Sequence, residues 1–295
     1  DRSVKLRTPD HLTNLIANRN DDSPNFCLLI GAGCSITSGV PSGEQLVSLW
    51  KNSLFNEAFQ REPTDINELS NYFKQQVWYD ERNPYSSLFE KMFDLPAQRR
   101  QFIEDKIKDC SPSIGYAYLV NLVSKGYFNT IFTTNFDDLI NEAFFRFSDI
   151  RPMVCSHDSA ITSIRVTSKR PKVVKLHGDY LYDNIKNTSE ETQSLENNTK
   201  SKFMEFLKDY GLIVIGYKGN DNSIMDVLNT LVKQEDYLKN GIYWCVLENE
   251  PISDELAKLL WRDRTYFVPI IGFDEFFASA HNILSHGSCP ISTDT

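Results

Sequence analysis

The sequence predicts an α/β fold: a Rossmann-like parallel sheet with helices on both faces and a helical insertion between the first two strands. Two observations carry this. Short apolar runs, four of them closed by a glycine, a histidine or a Thr-Asn pair, alternate with segments of helical periodicity. A long stretch at about 64–125 has helical spacing throughout and no convincing strand. The 295 residues suit one domain with a large insertion, so residues 1–295 are read as a single unit.

Taken in order, Phe26 to Ile30 reads as a buried parallel strand ending at Gly31. Ser42 or Gly43 opens a helix to Leu54, with Leu46, Val47, Leu49 and Trp50 on its apolar side. In the insertion, Thr64 is a plausible cap, and Phe89, Met92 and Phe93, then Phe102, Ile103 and Ile107, recur at helical spacing. Tyr127–Thr133 is a strand and Asp137–Phe147 a helix. Lys172–Leu176 is a strand ending at His177, and Asn184–Lys200 is a polar loop. Then follow helix Phe203–Tyr210, strand Leu212–Ile215, helix Ser223–Lys233, strand Ile242–Leu247, helix Asp254–Trp261, strand Thr265–Pro269 and helix Asp274–Leu284.

Composition narrows the function. A net charge of −9 argues against direct nucleic-acid binding and against docking on anionic lipid. A basic run from Arg165 to Lys175 is the local exception, read as a solvated loop or a phosphate or partner patch. No stretch approaches the ~18 apolar residues that span a membrane, and residues 1–12 lack the apolar core of a signal peptide. The six cysteines include no CxxC pair and several sit in apolar runs, which fits buried thiols in a reducing cytoplasm.

In a doubly wound sheet, ligands sit beyond the carboxyl ends of the strands, so four strand ends hold the candidate chemistry. In LLIGAGCSITSGVPSG, Gly31 and Gly33 let the backbone approach a pyrophosphate, Ala32 keeps the loop thin and Ser35 offers a hydroxyl. The same glycines would also serve a tight turn with no ligand. In IFTTNFDDLI, Asp137 or Asp138 could cap the next helix, which leaves Asn135 free to position a water or a ribose hydroxyl. In VVKLHGDY, His177 is either structural or a general base, and Gly178 lets the chain turn. In VIGYKGNDNSI, Gly216 and Gly219 open the backbone before Asp221 or Asn222, the pattern of a capped strand–helix turn.

These four motifs, in this order, resemble the sirtuin superfamily, and within it the sirtuin-like domains of bacterial antiphage defence proteins. The resemblance covers most of residues 26–285 outside the insertion. It implies a nucleotide loop at Gly31, Ala32, Gly33 and Ser35, a ribose-holding segment from Thr133 through Thr134 and Asn135 to Asp137, and a catalytic His177. It places Gly216, Tyr217 and Asp221 in the nucleotide site. NAD is then the substrate, with Asn135, His177 and Asp137 catalytic, and hydrolysis to ADP-ribose and nicotinamide the expected reaction, depleting NAD during abortive infection.

Two departures set this chain apart from protein-deacylating sirtuins. Gly39-Val40-Pro41-Ser42-Gly43 lacks the Phe and Arg of their first loop. Residues 179–201, where their four-cysteine zinc module falls, hold no cysteine, so no zinc is expected. NAD-dependent deacylation or ADP-ribosyl transfer is the second reading, and a non-catalytic nucleotide-sensing scaffold the third. The cysteine usage points to a cytoplasmic protein, and the resemblance implies control by a regulatory partner such as a HerA-type ATPase, an Argonaute-like protein or a phage protein. Tyr72, Phe73, Val77, Trp78, Tyr79, Tyr85, Leu88, Phe89, Met92 and Phe93 either pack into the insertion's own core or exceed what a small helical layer hides, and on the second reading a homo-oligomer is expected with the insertion in its contact surface.

Overall fold

The computed structural model describes residues 2–20, 23–82, 84–177 and 197–286. Its centre is a seven-stranded, all-parallel sheet in the order β3-β4-β2-β1-β5-β6-β7. The strands are β1 Phe26–Ile30, β2 Thr130–Thr133, β3 Met153–Cys155, β4 Lys172–Lys175, β5 Gly211–Ile215, β6 Ile242–Leu247 and β7 Thr265–Ile270. β1 lies between β2 and β5, so the order reverses at the centre of the sheet, as in a doubly wound fold.

Strand residues alternate between two cores because successive side chains point to opposite faces. Leu28, Ile30, Ile131, Val173, Ile213 and Ile215 belong to one core. Cys27, Leu29, Phe132, Val174, Leu212 and Val214 belong to the other. Burial on both faces explains why the sequence shows continuous apolar runs rather than alternation. The first face is covered by α1 Pro9–Ala17, α2 Gly43–Phe59, α6 Ile114–Ser124, α7 Leu139–Phe147 and α12 Phe273–Leu284. The second is covered by α8 Asp158–Ile161, α9 Asn197–Asp209, α10 Asn222–Leu231 and α11 Asp254–Leu260. No described helix is long and apolar enough to cross a membrane.

The predicted insertion holds α3 Ile66–Lys74, α4 Pro84–Met92, α5 Pro96–Ile107 and then α6. The last of these packs on α7 and α12 and covers the sheet, so α3 to α5 form the added layer. Asp65, not Thr64, caps α3 by accepting from the Glu68 amide. The aromatics of this layer turn inward. Trp50 of α2 meets Tyr85, Phe89, Phe93 and Phe102, and Tyr72 and Phe73 continue the cluster to Phe55, Trp78 and Tyr79. Of the ten residues read as surplus surface, only Val77 is exposed. Much of the aromatic surface in this layer therefore packs within the chain, with Tyr72, Trp78, Tyr79, Tyr85, Met92 and Phe93 half-buried.

Other expectations shift in detail. Leu49 is half exposed rather than apolar-facing. α1, α8 and β3 were not predicted. Lys172 and Lys175, read as part of a basic run, are buried in β4, with Lys172 Nζ donating to the Ser168 carbonyl. That run is therefore not one solvated patch. The polar loop expected at Asn184–Lys200 lies outside the described residues up to 196, and from Asn197 the chain is helical.

Candidate active site

The strand register brings the candidate residues to one edge. Thr133 pairs with Lys175, so Asn135 and His177 each lie two residues beyond the same rung of adjacent strands. Ile30 pairs with Thr133 on one side and Ile215 on the other, which sets the 31–35 turn between Asn135 and Gly216. Gly178, the second half of the expected His-Gly pair, lies outside the described residues.

The turn after β1 is a single helical turn, Ala32–Ser35, with Ala32 and Gly33 exposed and Ser35 buried. Its glycines have a reason that the sequence did not disclose. The Gly33 amide donates to the Gly216 carbonyl at 2.8 Å, and a Cβ on Gly33 would stand 2.9 Å from Gly216 Cα. A Cβ on Gly31 would stand 2.6 Å from that of Tyr217. The two loops at the switch point thus pack backbone to backbone, and only glycine allows it.

Ser35, expected to meet phosphate, is the hub of a buried network instead. Its hydroxyl donates to Asp137 Oδ2 at 2.8 Å, so the Tyr116 hydroxyl, 2.8 Å away, donates to Ser35 Oγ. Asn135 Nδ2 also donates to Ser35 Oγ at 3.3 Å and to the Gly31 carbonyl at 3.1 Å. Asn135 is further held by its amide, which donates to Thr133 Oγ1 at 3.0 Å. Thr134, half-buried, is tied to the Ile30 carbonyl through its amide at 3.2 Å.

Asp137 Oδ1 accepts from the Leu139 amide at 3.1 Å, so the helix-start role read for it is present alongside the Ser35 contact. Burial raises its carboxyl above the ordinary carboxylate range, and the Ser35 hydrogen bond and the nearby Lys175 charge only partly offset this. Lys175 Nζ donates to the Asp137 carbonyl at 2.7 Å. Asp137 also borders a cavity of about 370 Å³ lined with Cys110, Asp138, Glu142 and Arg146 among others. Burial drives the Cys34 thiol far up, which excludes it as a nucleophile at neutral pH.

His177 Nε2 bonds to Asp221 Oδ2, and both side chains are buried. Asp221 was expected to hold nucleotide, but its oxygens are committed to His177 and to the start of α10. Two buried polar atoms at this edge lack a partner among the described residues: Asn135 Oδ1 and His177 Nδ1. Buried polar atoms are rarely left unpaired, so both call for a ligand group or a water. Reading the sequence missed Lys175 and Tyr116. The first had a signal, a lysine set between the apolar residues Val174 and Leu176 just before His177; the second had none.

Among the described residues, no group of three or more His, Cys, Asp or Glu side chains is placed to hold a metal ion.

Residues 129–268 match the model of the SIR2-like domain. The match runs from the start of β2 into β7, so it includes Asn135, Asp137, His177 and Asp221 but not the β1 loop or the insertion. The fold extends the likeness. A structure described as the structural basis for the mechanism and regulation of Sir2 enzymes superposes with TM-score 0.52 at 13% identity, over 94% of this chain and 97% of the other. A second, described as the structural basis of sirtuin substrate affinity, superposes with TM-score 0.51 at 14% identity, over 94% and 98%. No curated protein matches in sequence. The stretch that matches the SIR2-like domain model thus places Asn135, Asp137 and His177 just beyond the ends of β2 and β4, on a fold shared with sirtuin structures.

Proposed function

We propose that this chain cleaves the nicotinamide–ribose bond of NAD and hands the ribose to water, releasing ADP-ribose, nicotinamide and a proton. The observation that carries the reading is a pair of buried acceptors without a partner among the described residues, Asn135 Oδ1 and His177 Nδ1, at the ends of adjacent strands. Ribose hydroxyls and an attacking water are the donors that would satisfy both.

Each residue has a task in this reading. Asn135 spends its amide N–H groups on Gly31 and Ser35, so its free oxygen accepts from a ribose hydroxyl or from water and orients it. His177 Nδ1 takes the proton, a general-base contribution of roughly 10²–10⁴-fold. Asp137 faces the reacting centre through Ser35 and favours positive charge developing there, or meets the carboxamide of the leaving group. Ala32 and Gly33, exposed beside Gly216 and Tyr217, receive the phosphates. Burial of Asn135, Asp137 and His177 limits competing water.

Hydrolysis is preferred to deacylation because of the departures in the first loop and the absence of cysteine at 179–201. A role in antiphage NAD depletion under a regulatory partner follows the same resemblance. The test is incubation with NAD, with and without an acetyl-lysine peptide, followed by separation of products. Nicotinamide and ADP-ribose in equal amounts without peptide support hydrolysis. Release only with peptide establishes the deacylase, and no release under either condition, with candidate partners added, ends the enzymatic reading.

A further inference from the structure

We infer that Asp221 is a positioning residue: it holds the His177 ring, fixes the proton on Nε2 and leaves Nδ1 as the basic nitrogen. This rests on the NAD-cleavage reading above, and it changes the part expected for Asp221, from nucleotide contact to control of the base.

The two carboxylate oxygens have separate partners. Oδ1 accepts from the Ser223 amide at 3.0 Å, the Ser223 hydroxyl at 2.6 Å and the Ile224 amide at 3.4 Å, which caps α10. The cap needs nothing more. Oδ2 is left over and meets His177 Nε2. A carboxylate only accepts, so the imidazole nitrogen facing it carries the proton, and in a neutral ring the other nitrogen then holds the free lone pair. That other nitrogen is the buried Nδ1, which has no partner among the described residues. The contact therefore explains both which atom is unpaired and why it is basic.

The loop bearing Asp221 is built to hold it still. Gly216 and Gly219 take φ values of +69° and +77°, which turn the chain back over β5. Trp244 Nε1 donates to the Tyr217 carbonyl at 3.0 Å, and the Tyr217 ring stacks on Trp244 with centroids 5.7 Å apart. The Asp221 amide in turn donates to the Tyr217 hydroxyl at 3.3 Å. His177 follows β4 and Asp221 follows β5, so their bond crosses the ends of β2 and β1, the strands that carry Asn135 and the glycine turn. An aspartate serving only as a helix cap has no need of this reach.

The experiment uses the full chain with ¹⁵N-labelled histidine and pairs ring-nitrogen spectra with NAD kinetics. His177→Ala assigns the His177 signals. Wild type should show the Nε2–H tautomer. Asp221→Asn keeps an oxygen for the cap but offers N–H to Nε2, so the ring proton should move to Nδ1. Its kcat should fall about a hundredfold or more with KM little changed, as when a histidine is held in the wrong tautomer. Asp221→Ser retains a cap but is too short to reach the ring, and should lose kcat similarly while its urea midpoint stays near wild type. An unchanged tautomer in Asp221→Asn, or wild-type kcat in either variant, overturns the inference. If wild type itself does not cleave NAD, the functional reading fails and the tautomer comparison alone decides: a proton that moves supports the positioning role, and one that stays refutes it.

Discussion

The amide of Gly33 donates to the carbonyl of Gly216 at 2.8 Å, which joins the loop after β1 to the loop after β5. The contact matters because the first loop borders Asn135 and the second leads to Asp221. Adding a methyl group at either glycine of the first loop should therefore disturb stability and site together. Gly33→Ala should cost about 1–3 kcal/mol, the usual range for overpacking, and Gly31→Ala at least as much because it meets Tyr217 as well as backbone. Urea unfolding measures this. A Gly31→Ala protein of wild-type stability would show that the two loops separate readily.

Removing Asn135 or His177 should separate stability from chemistry. His177→Ala deletes a side chain whose one partner among the described residues is Asp221, leaves Asp221 Oδ2 without it, and should cost about 1–3 kcal/mol while the chain stays folded. Asn135→Ala leaves the Gly31 carbonyl without its side-chain donor and should cost about 1–3 kcal/mol. Both should lose nicotinamide release by at least about 10²-fold. Turnover at the wild-type rate in either folded variant would remove that residue from the mechanism.

Strand ends were legible because buried parallel strands write themselves as apolar runs, and Gly31, Asn135, His177 and Gly216 interrupt those runs abruptly. α1 was equally legible in principle: Thr8 caps it and Pro9 sits in its first turn. β3, three residues at the sheet edge with Val154 exposed, has too little pattern to read. The site's internal wiring was not legible at all. Ser35 and Asp137 are 102 residues apart and His177 and Asp221 are 44 apart, and nothing local in either segment names its partner. The sequence places Ser35, Asn135, His177 and Asp221 among its candidate site residues. In the fold, two of them, Ser35 and Asp221, are committed to supporting the other side chains.

Asp137 gives a pH dependence of defined sign. Its carboxyl lies above the ordinary value of 3.8 because burial penalises the charged form. The folded chain thus keeps this proton to higher pH than the unfolded chain does. The stability linked to it is full below 3.8 and is lost as pH rises through the raised value. Urea unfolding of wild type and Asp137→Asn, from about pH 4 to about pH 7, should show the wild-type-minus-variant difference falling as pH rises. A difference that grows with pH would mean that Ser35 and Lys175 outweigh burial and hold the group charged.

Metal content discriminates between the hydrolase and deacylase readings without an assay of either. The purified chain should carry no stoichiometric zinc, since residues 179–201 contain no cysteine and a structural zinc site needs thiolates or imidazoles at short spacing. Elemental analysis showing one zinc per chain would revive the deacylase.

The insertion offers a test of packing away from the chemistry. Trp50 is almost fully buried and touches Tyr85, Phe89, Phe93 and Phe102, so it joins α2 to the added layer. Trp50→Ala should cost about 3–5 kcal/mol. Trp50→Phe should cost much less than its lost volume suggests. The indole Nε1–H is buried without a partner among the described residues, and deleting an unsatisfied donor recovers about 1–3 kcal/mol. The two effects oppose each other, so Trp50→Phe should unfold within about 1.5 kcal/mol of wild type, the range of well-tolerated core swaps. A cost close to that of alanine would mean that the N–H finds an acceptor in solution, and that this aromatic cluster depends on the indole for more than its bulk.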